Sequence, residues 1–112
     1  MNNIALFVKD FQKGTELSDR LVTSKMNVTF VESIYNIPDH CEIGIIDLDD
    51  KKFGNVQFIS ELNSKTKLML LGYMAIVKKE KLDKLKSAGC DIVISKSSIV
   101  KNVQSLVQEL IK

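Results

Sequence analysis

The stretch Ile43-Gly44-Ile45-Ile46-Asp47 is a short apolar run that ends in an acid. Two other runs have the same form: Ile4-Ala5-Leu6-Phe7-Val8 precedes Asp10, and Ile92-Val93-Ile94 precedes Lys96. Short apolar runs with helical patterns between them are typical of buried parallel strands. The carboxyl ends of such strands form the ligand crevice of an open α/β sheet. The sequence therefore predicts that the two acids and the lysine lie at one rim of a parallel sheet.

Strand and helix patterns alternate along the whole chain. We expect strands at about residues 3–9, 27–31, 42–47, 67–71 and 91–95, with Gly72 closing the fourth. Helical patterns cover about residues 12–25, 55–64, 78–88 and 98–111, and one helical turn fits residues 33–39, where Pro38 ends it. This alternation predicts a three-layer αβα sandwich around a five-stranded parallel sheet.

Local signals add caps and a core to this outline. Asn55 is the expected N-cap of its helix, with Val56, Ile59 and Leu62 on the buried face, and Gly89 is the expected C-terminal cap of helix 78–88. The remaining predicted core consists of strand residues and the apolar stripe of the last helix: Ile4, Leu6, Val8, Val28, Phe30, Ile45, Leu68, Leu70, Ile92, Ile94, Ile99, Val103, Leu106, Val107, Leu110 and Ile111.

The composition narrows the class of protein. A chain of 112 residues, 45% hydrophobic and 27% charged, suits one globular domain. No apolar run approaches a membrane span, and the N-terminus lacks a signal-peptide pattern, so we expect a cytoplasmic protein. The net charge is +2 and Arg20 is the only arginine, so we expect neither a nucleic-acid nor a membrane partner. Motifs of nucleotide-binding loops and serine hydrolases are absent from the sequence.

Three motifs resemble those of response-regulator receiver domains, the CheY-like superfamily. They are Phe7-Val8-Lys9-Asp10-Phe11 after the first strand, Ile45-Ile46-Asp47-Leu48-Asp49 at the third, and Val93-Ile94-Ser95-Lys96 at the fifth. The turn Ala88-Gly89-Cys90-Asp91 is also similar to the turn that leads into the last strand of receivers. The resemblance covers essentially the whole chain and implies a flavodoxin-like sheet of strand order 2-1-3-4-5.

The resemblance also implies roles for the rim residues. Asp47 would be the phosphoacceptor, and Lys96 would contact the phosphoryl oxygens. Asp10, Asp47 and the main-chain carbonyl of Asp49 would hold Mg²⁺. Elementary electrostatics supports this reading, because a carboxylate can attack phosphohistidine only when the charge on the phosphoryl oxygens is neutralised.

The sequence departs from the receiver pattern at four places. Lys9 stands where receivers usually carry a first acid, and Ser97 stands where a proline is usual. Leu71-Gly72-Tyr73-Met74-Ala75 contains no Ser or Thr to read the phosphoryl group, and Val93 replaces the usual aromatic switch. Because Leu71-Gly72 and Val93 offer neither a hydrogen-bond donor nor a ring with two rotamers, we expect phosphorylation to change the output surface little.

We expect a stand-alone receiver-like signalling module over residues 1–112, without an effector domain. It would act by binding protein, with a histidine kinase or phosphotransfer protein as partner, and catalysis would be limited to phosphorylation of Asp47 from a phosphodonor. A homodimer through helix 78–88, strand 91–95 and helix 98–111 is a further expectation. Tyr73 and Met74 would be either exposed contacts beside this surface or core.

Two alternatives stay open. In the first, the ammonium of Lys9 lies near Asp47 and replaces the metal, which makes the chain a phosphorylation-independent interaction module. In the second, the chain is a small-ligand-binding flavodoxin-like domain, since the same fold hosts unrelated functions. The loop Phe11-Gln12-Lys13-Gly14-Thr15 is a poor match to a flavin phosphate loop.

Overall fold

The computed structural model describes residues 2–111. In this part of the chain the strands are β1 (Asn3–Phe7), β2 (Asn27–Phe30), β3 (Cys41–Asp47), β4 (Met69–Met74) and β5 (Ile92–Ser95). The helices are α1 (Phe11–Thr23), α2 (Val56–Lys65), α3 (Lys79–Ala88) and α4 (Lys96–Ile111), and a 3₁₀ turn spans Ile34–Asn36. No helix among the described residues is long and apolar enough to cross a membrane.

The five strands form one sheet of order β2-β1-β3-β4-β5, and all neighbouring strands pair in parallel. Helices α1, α2 and α3 and the 3₁₀ turn connect the strands, and α4 follows β5. The fold prediction is therefore confirmed in class, strand number and strand order. The single helical turn expected within residues 33–39 is the 3₁₀ turn, capped by the hydroxyl of Ser33, which accepts a hydrogen bond from the Tyr35 N–H.

Side chains alternate between the two faces of the sheet and define two core clusters. The first cluster lies between the sheet and helices α1 and α4, and includes Ile4, Leu6, Ile45, Leu71 and Tyr73. The second lies between the sheet and helices α2 and α3, and includes Ala5, Phe7, Ile46, Leu70 and Met74. Both faces of the sheet are covered, which is why the strands read as continuous apolar runs rather than alternating ones.

Two predicted core positions are wrong. Phe30 is 53% exposed, because β2 is an edge strand and only α1 covers it; a Cβ added at Gly14 of α1 would meet the Phe30 ring. Val56 at the start of α2 is also exposed, whereas Ile59 and Leu62 are buried as expected. The other predicted core residues are buried or half-buried against the two clusters.

The fourth strand begins two residues later and ends three residues later than predicted. Gly72 lies inside β4 rather than closing it, and Tyr73 and Met74 continue the strand as buried residues. Their reading as core is confirmed, and the reading as exposed contacts is wrong. A side chain at position 72 would collide with Leu48, so the glycine leaves room for packing on the α2–α3 face and does not signal the strand end.

The helix ends follow the expected chemistry. The Asn55 side chain accepts a hydrogen bond from the Gln57 N–H at 2.8 Å and caps α2. Gly89 has φ +126° and caps the end of α3. The last helix begins at Lys96, earlier than the predicted 98, and follows β5 with no intervening loop. Lys96 is therefore the first residue of α4.

Candidate functional site

The candidate site lies at the carboxyl ends of the central strands, on the α1–α4 face. Asp47 ends β3 and continues the row of Ile43 and Ile45, which point into the first cluster. Asp10 follows β1 two residues after Val8 on that face, and Lys96 follows Ile94 in the same way. The strand period of two places Asp47 on this face. Asp10 and Lys96 lie just beyond their strands, at the starts of α1 and α4, at the same rim of the sheet.

Asp47 is the buried acid of this rim, only 8% exposed. Its Oδ1 accepts a hydrogen bond from the Asp49 N–H at 3.0 Å. Burial raises the pKa of the Asp47 carboxyl, and the neighbouring carboxylates of Asp49 and Asp50 act in the same direction. The Asp49 N–H and the Lys96 ammonium oppose this shift without cancelling it. A carboxylate held at a strand end with little solvent is poorly neutralised and suited to receive an external positive or electrophilic group.

Asp10 and Lys96 contact each other directly. Lys96 Nζ lies 3.7 Å from Asp10 Oδ2, and Asp10 Oδ1 accepts a hydrogen bond from the Lys13 N–H at 3.1 Å. Asp10 is therefore the N-cap of α1 as well as an ion-pair partner. The Lys13 N–H and the Lys96 ammonium both lower the pKa of Asp10, the N–H more strongly. Asp10 is exposed and its pKa is lowered, whereas Asp47 is buried and its pKa is raised.

The loop after β3 holds two further acids. Asp49 Oδ2 accepts a hydrogen bond from the Ala75 N–H at 2.8 Å, which ties the loop to the end of β4. Asp50 Oδ2 accepts from the N–H groups of Lys52 and Phe53 at 2.9 and 3.0 Å and so stabilises the following turn. Both side chains have structural partners, and the main-chain carbonyl of Asp49 is the atom proposed for a metal.

One alternative places the ammonium of Lys9 near Asp47, but in the structure this ammonium lies near Asp50. Its Nζ lies 4.0 Å from Asp50 Oδ1 and 5.3 Å from the centre of the Phe53 ring. Within residues 2–111, no ion pair joins Lys9 to Asp47. The ammonium that acts on Asp47 is that of Lys96.

Tyr73 is a residue of this site that the sequence pattern did not assign. It pairs in register with Asp47 on the neighbouring strand and, like Ile45, points into the first cluster. The signal is present in Leu71-Gly72-Tyr73, whose alternation matches Ile45-Ile46-Asp47. It is easily missed, because Gly72 resembles a strand end and because Ser and Thr are the usual hydroxyl donors at this place.

Oxygen ligands for a divalent cation are present at the rim, in the carboxylates of Asp10 and Asp47 and the carbonyl of Asp49. Mg²⁺ usually takes one or two carboxylates and keeps several waters, so this set fits the ion. No group of three His, Cys, Asp or Glu side chains arranged to enclose a metal occurs in the described part of the chain.

No protein-family model matches the sequence, and no curated protein does. Solved structures match it over nearly its full length. A response regulator from Thermotoga maritima has a TM-score of 0.85 at 12% identity, covering 99% of this chain and 98% of that one. An orphan response regulator of H. pylori gives 0.83 at 17%, with 99% and 97% covered. The BeF₃-activated receiver domain of DrrB gives 0.85 at 14%, with 99% and 97% covered.

These similarities concern the fold, since the identities are low. The chain has the CheY-like fold of response-regulator receiver domains, as the resemblance of its three motifs implied.

Proposed function

We propose that this chain is a receiver-like signalling module that is phosphorylated on Asp47 and acts by binding a protein partner. One observation carries the proposal: a nearly buried carboxylate ends the central strand of a receiver-like sheet, and an ammonium lies within its electrostatic reach. Other acids of the chain, such as Asp10, Glu61 and Glu80, cap a helix or pair with lysines on helix surfaces. Asp47 is instead directed into the crevice where α/β sheets bind ligands.

The transfer needs only positioning and charge neutralisation. A carboxylate oxygen of Asp47 attacks the phosphorus of a phosphodonor, a new P–O bond forms, and the bond to the leaving group breaks with its electron pair going to that group. Asp49 N–H orients the attacking carboxylate through Oδ1, and Lys96 faces the incoming negative charge. Mg²⁺, when bound, would neutralise phosphoryl oxygens beside Asp10 and Asp47.

The structural neighbours agree with a signalling role. Two of them are response regulators, and a third is a receiver domain activated by BeF₃. For this chain we accordingly propose a histidine kinase or phosphotransfer protein as the donor. The surface formed by α3, β5 and α4 is the proposed contact with a protein partner or a second copy of the chain.

The direct test is phosphorylation by a small donor. The protein is incubated with acetyl phosphate and Mg²⁺, and its intact mass is measured. We expect the wild type to gain the mass of one phosphoryl group and the Asp47→Ala variant to gain none. Asp83→Ala is the matched control, because Asp83 is an exposed acid on α3, and its mass gain should equal that of the wild type.

The second candidate function is a phosphorylation-independent interaction module. It is favoured by one observation: both carboxylate oxygens of Asp10 already have partners, one the Lys13 N–H and the other Lys96. A wild-type protein that gains no mass from any donor, with its fold intact by circular dichroism, would favour this candidate over the first. A flavin, nucleotide or corrinoid carried through purification would instead identify a ligand-binding domain.

A further inference from the structure

Tyr73 carries an unusual polar atom. Its hydroxyl is the buried side-chain nitrogen or oxygen that lacks a hydrogen-bond partner within the described residues. The whole residue is fully buried, near the carboxyl end of β4. A buried hydroxyl without a partner costs stability, and a phenylalanine would fill the same space without that cost. The position therefore calls for an explanation beyond packing.

The register places this side chain beside the proposed phosphoacceptor. Asp47 pairs with Tyr73, and Tyr73 pairs with Ile94 on the other side. In parallel strands, residues at the same level point to the same face, and here that face also carries Asp10 and Lys96 beyond the strand ends. Tyr73 on β4 thus lies between β3, which ends at Asp47, and β5, which is followed by Lys96.

Electrostatics links the hydroxyl to the same site. Burial raises the pKa of Tyr73 most, and the carboxylates of Asp47, Asp10 and Asp49 raise it further. The phenol proton is therefore retained in the unmodified protein. A retained proton with no acceptor among the described residues, and with three acids nearby, is available to an anionic oxygen that arrives at this rim.

We propose that the Tyr73 hydroxyl is a hydrogen-bond donor reserved for the phosphoryl oxygens of modified Asp47. It would supply the hydroxyl contact to the phosphoryl group that a Ser or Thr near the end of β4 usually makes in receivers. The proposal rests on the proposed function, because it needs a phosphoryl group or its mimic at Asp47. Tyr73 is a positioning and recognition residue here, since it donates to the bound group and takes no part in bond making.

The test compares Tyr73→Phe with Tyr35→Phe. Tyr35 is the other tyrosine of the chain and is 84% exposed, which makes it a matched control. Each protein is titrated with beryllofluoride in the presence of Mg²⁺, and binding is followed by the NMR shift of the Asp49 amide, which contacts Asp47. We expect Tyr73→Phe to bind about tenfold more weakly than wild type, as for loss of one hydrogen bond to a charged group. Tyr35→Phe should bind like the wild type.

A second measurement separates recognition from simple damage to the fold. Without beryllofluoride, Tyr73→Phe should melt at the same temperature as the wild type or higher, since it removes an unpartnered hydroxyl. The lifetime of the phosphoryl group on Asp47 after removal of donor should be altered in this variant and unaltered in Tyr35→Phe.

The outcomes distinguish this inference from the proposed function. If the wild type is phosphorylated and binds beryllofluoride while Tyr73→Phe does so equally well, the Tyr73 inference is wrong and the phosphoacceptor role stands. If the wild type responds to neither reagent, both are overturned. A weakened response in Tyr73→Phe with unimpaired stability supports both.

Discussion

At the scale of single residues, the rim contains two acids whose pKa values are shifted in opposite directions. Asp10 is exposed, caps a helix and pairs with Lys96, and all of these contacts suit its ionised form. Asp47 is nearly buried, and its surroundings favour the protonated form relative to water. A carboxylate kept in such surroundings reduces stability at neutral pH, which is a common cost of functional groups.

The Asp47→Asn variant should therefore be more stable than the wild type at pH 7 in metal-free buffer. Asparagine has the same shape and keeps an oxygen that accepts the Asp49 N–H, while it removes the buried charge. The folded-state pKa of Asp47 is raised above its ordinary value of 3.8. The wild type thus loses stability as the pH rises from that ordinary value through the raised pKa.

The measurement is urea unfolding of both proteins at several pH values with a chelator present. The stability advantage of Asp47→Asn should be largest at neutral pH and should shrink as the pH falls toward 3.8 and the wild-type carboxyl becomes protonated. Asp83→Asn on the exposed face of α3 is the control and should show no such dependence. An advantage that stays constant with pH would show that charge burial is not its cause.

At the scale of elements, the turn from α3 into β5 depends on Gly89. Its φ of +126° lies in the region that glycine adopts readily, and the Cys90 N–H donates to the Leu85 carbonyl at 3.0 Å. A Cβ at position 89 would also collide with the side chain of Asn63 on α2. Both the backbone conformation and the α2–α3 packing therefore require a residue without a side chain.

We expect Gly89→Ala to lower the free energy of unfolding by about 1–3 kcal/mol, the usual cost of a side chain in a strained backbone region. Urea unfolding measures the change. Ser87→Ala, at an exposed position two residues earlier on α3, is the control and should alter stability by less than about 0.5 kcal/mol. A Gly89→Ala protein as stable as the wild type would show that the turn can relax.

At the scale of the whole molecule, the question is whether modification at the rim reaches the α3–β5–α4 surface. Val93 packs into the second cluster and has no ring that could change between an inner and an outer position. Tyr73 is already inside, so its proposed hydrogen bond requires no inward movement of an exposed group. The inward movement of an aromatic ring, which usually reshapes this surface in receivers, is therefore not available at Val93 or Tyr73. The hydrogen bond proposed for the Tyr73 hydroxyl does not replace it.

We expect self-association or partner binding through this surface to change less than tenfold when beryllofluoride and Mg²⁺ are added. Sedimentation of the protein with and without these reagents is the measurement, and the Asp47→Ala protein is the control for effects of the reagents alone. A tenfold change in affinity, equal to about 1.4 kcal/mol of coupling, would reveal a switch that these residues do not contain.

Much of this architecture could be predicted from local pattern. Short apolar runs indicated the strand positions, Asn55 and Gly89 marked helix ends, and the acids at the strand ends marked the rim. The errors fall where neighbours decide the outcome. Phe30 belongs to an apolar strand pattern, which predicts a core position, but it lies on an edge strand and is exposed. Gly72 suggests the end of a strand, but it lies inside β4, where a side chain would collide with Leu48.

The sequence by itself determined the class of fold and the identity of the rim residues. The alternation of strand and helix patterns, and the residues that directly follow each strand, can both be read from neighbouring positions in the chain. Tertiary structure decided which partner each rim residue has: Lys96 with Asp10, Lys9 with Asp50, and Tyr73 buried beside Asp47. Such pairings depend on distances between elements far apart in the chain. Burial arises only after those elements have packed. It raises the pKa of Asp47 and leaves the Tyr73 hydroxyl without a partner among the described residues.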